Sequence, residues 1–132
     1  MKIASTISRY LLGLLFTIFG LNGFLHFIPQ PPPSSPLAMQ FLTVMSASHY
    51  MVPVFLVQLI GGVLLLVGRY IPLALTLLAP VIVNVLIYHS AMDPGGIGAG
   101  LLATILWILV FLRFRANFLG LLESRPVSAD LR

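Results

Sequence analysis

The chain contains no cysteine, so disulfides, thiolate metal sites, iron–sulfur clusters and thiol redox relays are excluded within it. Charge is scarce as well. Only 8% of the 132 residues are charged, three acidic against seven basic. Paired carboxylates for acid–base work are absent, and nothing resembles a nucleophile–base pair or a phosphate loop, so no catalytic residue is assigned. The long apolar runs lack period-two alternation, which argues against barrel strands. No basic patch interleaved with aromatics stands on a soluble segment, so a pI near 10.1 does not point to nucleic acid.

What the sequence does have is apolar length. Hydrophobic residues make up 59% of it, and the mean hydropathy is +1.07. Four runs are read as crossings, about Tyr10–Ile28, Tyr50–Val67, Ile71–His89 and Ile97–Leu112; against the roughly 20 residues (range about 17–25) needed to cross a bilayer the first three fit, and the fourth is short unless it borrows Gly95–Gly96 and Phe114. Backbone groups in lipid must bond within their own segment, so these runs are expected to be helices. The expected fold is therefore all-α: a polytopic membrane protein, a four-transmembrane-helix bundle forming one domain over 1–122. A tail over 123–132 follows, and its end is expected to be disordered. The first run exceeds a signal-peptide core and is followed by Pro29–Pro33 rather than a small-residue cleavage site, so it is expected to stay as an anchor. With four crossings, Lys2, Arg9, Arg69, Arg113, Arg115, Arg125 and Arg132 all fall on one side. By the positive-inside rule both termini are cytoplasmic and the protein sits in the inner (plasma) membrane.

Between the first two runs lies "PQPPPSSP", too proline-rich for helix and expected to be a stiff extended connector. Ser35 then resembles an N-cap with Pro36 at the first helical position. A short interfacial helix is expected over about 36–46, with Leu37, Phe41, Val44 and Met45 on one face. Small residues at helical spacing mark packing faces: Gly13 and Gly20 with Thr17 and Phe24, the Gly61–Gly62 pair, and Gly96 and Gly100 with Thr104.

Polar residues inside apolar runs are costly and usually face a bundle interior. Thr76, Pro80, Asn84 and Tyr88 recur every four residues, and Pro80 deprives the Thr76 carbonyl of its usual partner. Gln58 stands at a similar depth. A Gln58–Asn84 clamp is the first expectation, a cleft lined by this stripe the second. His26, His49 and His89 fall at the outer ends of three runs, with Asn22 one turn before His26 and Asp93 four residues after His89. No HxxxH or HxxE pair stands on one helix, so no metal site is assigned, and no haem. Asp93 followed by Pro94 reads as a helix cap. A histidine beside an apolar cleft suits a quinone headgroup, with Phe24, Phe27, Tyr50, Tyr88 and Trp107 as candidate walls. The candidate ligand residues are Asn84, Tyr88, His89, His26 and Gln58, and quinone is the one cofactor considered.

The order "GLNGFLHFIPQPPP", then "QLIGGVLLLVGRYIPLALTLLAPVIVNVLIYHSAMDPGG", then a last helix ending in basic residues, resembles the DoxX-like family over about Arg9 to Leu122. Asn22, Pro72, Pro80, Asn84, His89, Asp93 and Pro94 match its pattern. Gln58 departs from it, standing where an acidic residue is expected. The resemblance implies a small four-helix membrane protein. Its implied function is an accessory or quinone- or lipid-binding subunit of a membrane redox complex, partnered by the bilayer and other membrane subunits or by self-association. The alternatives are a structural subunit with no ligand of its own and an oligomeric small-solute carrier.

Overall fold

The computed structural model describes residues 1–125. These form five α-helices and no strand: α1 (Lys2–Leu25), α2 (Pro36–Ala47), α3 (Met51–Val67), α4 (Ile71–Ala91) and α5 (Ile97–Phe114). Short 3-10 segments follow at Pro94–Gly96 and Arg115–Leu122. From residue 126 on, the expected tail lies outside the described residues.

Local chemistry sets the helix ends. α1 begins at Lys2 rather than Tyr10 because its polar start is packed. Ser5 and Ser8 are buried, and the Arg9 guanidinium donates to the Leu65 carbonyl and, at 3.5 Å, to that of Leu66. These carbonyls lie in the last turn of α3, which lacks intrahelical donors and favours a cation. α1 ends at Leu25, short of Ile28, because His26 turns left-handed (φ 52°) and its N–H returns to the Asn22 carbonyl at 2.9 Å. The buried Asn22 side chain then fixes the exit: the Ile28 N–H donates to Oδ1 at 2.6 Å and the Asn22 amide donates to the Ile28 carbonyl at 3.3 Å. α2 starts as expected, with Ser35 Oγ accepting from the Ala38 N–H at 3.0 Å and Pro36 in the first turn. On the expected apolar face Phe41 and Met45 are half-buried and Leu37 and Val44 exposed, and Ala38 is the residue turned fully inward. α3 closes at Gly68, whose φ of 75° is the left-handed turn that glycine adopts without penalty.

α1 packs on α3 and α5, and α4 packs on the same two, so the four helices form a closed cycle. Neighbours are antiparallel. Gly13 faces Gly62 while Gly20 faces Phe55 and Leu59, Gly61 faces Leu78, and Gly100 faces Val85 and Leu86. The histidine-bearing ends therefore gather at one end of the molecule and the arginine-bearing ends at the other. The core between them is Leu12 and Phe16 of α1, Leu65 of α3, a row from Ile71 to Ile82 on α4, and Ala103, Leu106 and Val110 of α5.

Three segments are long and apolar enough to cross a membrane: α1, α4 and Pro94–Leu122, which contains α5. α3 has 17 residues. It joins as a fourth only as part of a pair with α2, from which it is bent by 85°. Only 33%, 33% and 22% of the apolar windows in the three segments are buried. The remaining surface is largely leucine, isoleucine, valine and phenylalanine, which suits contact with lipid and not with water. The chain is thus an all-α protein with the helices of a multi-pass membrane protein.

Candidate functional site

The polar groups at the histidine end are joined to one another. α4 ends where the Met92 and Asp93 N–H groups both return to the Tyr88 carbonyl, at 2.8 and 3.2 Å. His89, in the last turn, places Nδ1 2.8 Å from the Asp93 backbone carbonyl. With Nδ1 as the donor, the ring closes the turn between α4 and Pro94. The imidazole lies so close to Gly96 that a methyl group there would sit 2.1 Å from it. Gly96 is therefore a seat for His89 and belongs to the 3-10 segment, not to α5.

Asp93 holds the N-cap position of that 3-10 segment, but its carboxylate makes no cap bond to it. Instead it accepts from the Ser34 hydroxyl and, at 3.2 Å, from the Ser34 N–H. Ser35 Oγ donates to the Met92 carbonyl at 2.6 Å. The proline-rich connector is thereby strapped to the α4–α5 turn. The Ser34 hydroxyl, and then its N–H, hold the Asp93 carboxyl below its ordinary pKa, with the nearby His89 adding to the effect. Phe41 of α2 completes the contact, its ring 5.8 Å from Tyr88, which meets His89 edge-on at 4.9 Å.

The other candidate residues lie apart from this cluster. His26 and His49 are exposed, both in left-handed backbone (φ 52° and 59°), where they end helical segments. Among the described residues no three His, Asp or Glu side chains come together. Gln58 is buried on α3. Asn84 is exposed on α4 and donates to the Pro80 carbonyl, one turn back, at 2.8 Å. The expected Gln58–Asn84 clamp therefore does not form. Thr76 and Pro80 are exposed too, so the expected inward stripe points away from the core. Each side chain bonds back along its own helix, Thr76 to the Pro72 carbonyl at 2.9 Å and Asn84 to the Pro80 carbonyl through one of its two amide N–H groups, which lowers what either must find in the interior. The inner face of α4 is left to Ala74, Leu75, Leu78, Val81 and Ile82.

The candidate aromatic walls also separate. Phe24 packs on Phe55 with ring centres 5.9 Å apart, and Phe27 and Tyr50 are exposed. Trp107 stacks on Phe111 at 5.0 Å and donates its indole N–H to the Leu75 carbonyl at 2.9 Å, tying α5 to the part of α4 that precedes Pro80. Two surface concavities lie at the arginine end, one lined by Lys2, Ile3, Thr6 and Ile7, the other by Phe111, Arg115, Phe118 and Leu119. Neither reaches Tyr88, His89 or Asn84.

Sequence reading gave no role to Ser34, took Arg9 only as a topology charge and Phe41 only as part of an interfacial face. Arg9 had a signal: a cation near the start of one apolar run, and another apolar run ending at Gly68. Ser34, inside a low-complexity stretch, had none. No protein-family model, curated protein or solved structure matches this chain.

Proposed function

We propose that this protein is an accessory membrane subunit that works by association within the bilayer and has no chemistry of its own. It crosses four times, α3 included, with both termini cytoplasmic and the histidine end outside. The charge pattern supports that orientation, since all seven Lys/Arg residues fall on the arginine-end side of such a topology. One observation carries the functional reading: the polar groups of the α4–α5 turn are bonded within the chain. Ser34, Ser35, His89 and Asp93 hold a connector to a turn, while Asn84 faces outward. The DoxX-like resemblance makes a redox complex the first assembly to look for.

A second reading, a quinone or lipid headgroup held at the histidine end, is favoured by the adjacency of Tyr88 and His89 and by the second ring nitrogen of His89, which the Asp93 contact does not use. One experiment addresses both. The protein is purified gently from its native membrane, its co-purifying subunits are identified by mass spectrometry, and its extracted small molecules are quantified. Reproducible stoichiometric subunits support the accessory role. A stoichiometric quinone lost in Tyr88→Phe replaces it with the second reading. Neither subunits nor quinone contradicts both.

A further inference from the structure

We propose that α4 is the interface of a homodimer, in which two copies meet about a two-fold axis along the membrane normal and their Asn84 carboxamides bond each other. It rests on α4 crossing the bilayer and not on the accessory-subunit reading.

The face in question carries Leu73, Thr76, Pro80, Val83, Asn84 and Ile87, all exposed. α3 and α5 cover the opposite side of α4. Such a face is ordinary for lipid contact except for its polar content. A carboxamide offers two N–H donors and an oxygen with two lone pairs. Asn84 commits one N–H to the Pro80 carbonyl, leaving the other N–H and the oxygen to find partners in hydrocarbon. Four residues earlier Pro80, lacking an N–H, leaves the Thr76 carbonyl without its usual backbone donor. Unmet groups of this kind are unfavourable in lipid, and helices associate to satisfy them.

Symmetry selects the occupant. Copies inserted by one topology rule share one orientation, so a two-fold axis along the normal brings each residue opposite itself at equal depth. A carboxamide with one N–H and one oxygen to offer is its own complement: each Asn84 donates to, and accepts from, the other. The face carries no charge, so like meets like without repulsion. Pro80 and Thr76 keep the centre of the face low, and Leu73, Val83 and Ile87 provide packing on either side.

Because the chain has no cysteine, single-cysteine variants report the contact without background. Purified Val83→Cys, Ile87→Cys and, as an off-face control on α5, Ile105→Cys are placed in liposomes at low protein-to-lipid ratio and oxidised. The expected result is a cross-linked dimer from Val83→Cys or Ile87→Cys and none from Ile105→Cys. Adding Asn84→Leu should lower the cross-linked fraction about tenfold, the loss of two reciprocal bonds of the modest strength usual in membranes. Asn84 is exposed, so that variant keeps its fold, which circular dichroism verifies. Equal cross-linking at Ile105 would overturn the proposal, as would cross-linking indifferent to Asn84→Leu. A dimer absent from the purified protein, with Ile87→Cys capturing a different membrane protein in native vesicles, would overturn it in favour of a heteromeric seam. Free modification of Ile87→Cys by a water-soluble maleimide would overturn it by removing α4 from the bilayer.

Discussion

A methyl group added at Gly62 would come within 2.6 Å of the Thr17 backbone nitrogen and 2.9 Å of the Gly13 carbonyl oxygen. Backbone cannot rotate out of the way, so α1 and α3 must separate. Gly62→Ala should therefore cost about 1–3 kcal/mol, the usual penalty of overpacking. Gly98→Ala, where nothing lies within 4 Å, should be neutral or slightly stabilising. Unfolding followed by circular dichroism in mild detergent compares the two. His26 makes a different prediction. Its role in the fold is its left-handed backbone, so His26→Asn should be tolerated while His26→Val costs about 1–2 kcal/mol. If His26→Asn and His26→Val destabilise equally, the ring and not the backbone is what matters there. At this scale the glycines at 13, 20, 61 and 62 were legible, because close helix approach needs small residues at helical spacing. The left-handed histidines were not, since nothing in a sequence separates a histidine that ends a helix from one that binds a ligand.

The strap between the connector and the α4–α5 turn is an element with its own pH dependence. The Asp93 carboxyl is held below its ordinary pKa by Ser34. A carboxylate with a depressed folded pKa contributes stability that is fully present above its unfolded value and lost as pH falls through the folded one. The connector should accordingly stay docked at neutral pH and loosen only below about pH 4. Asp93→Asn should loosen it at every pH. Hydrogen exchange at Ser34 and in the first turn of α2 would register both, and protection that is the same at pH 7 in the wild type and Asp93→Asn would contradict the assignment. α4 is the instructive case for sequence reading. Its four-residue polar period was visible in Thr76, Pro80 and Asn84, and the period was real. Its direction was not visible. In water a polar stripe faces outward and in a bilayer it usually faces inward, but a side chain that bonds its own helix meets part of its need there and is held less strictly to either rule. Ser34 was lost for another reason: its partner is 59 residues away in sequence, and only the folded chain brings them together.

For the whole molecule, the all-α class followed directly from run length and hydropathy, and the helix order from the prolines and glycines between runs. The marginal helix is not the expected one: the last run is long enough within Pro94–Leu122, and α3, expected to fit, reaches span length only as a pair with α2. Its 17 residues stand at the lower limit for a span, roughly 26 Å at 1.5 Å per residue, and α2 turns away from it at 85°. Four crossings place Ser48 and Arg69, at the two ends of α3, on opposite sides of the membrane; three crossings with α3 held in the interface place them on the same side. The cysteine-free chain again supplies the measurement. Ser48→Cys, Arg69→Cys and Glu123→Cys, expressed in cells, are treated with a membrane-impermeant maleimide before and after permeabilisation. Labelling of Ser48→Cys in intact cells, with Arg69→Cys and Glu123→Cys reached only after permeabilisation, is the predicted result. Labelling of Arg69→Cys in intact cells would contradict the four-crossing topology on which the proposed orientation depends.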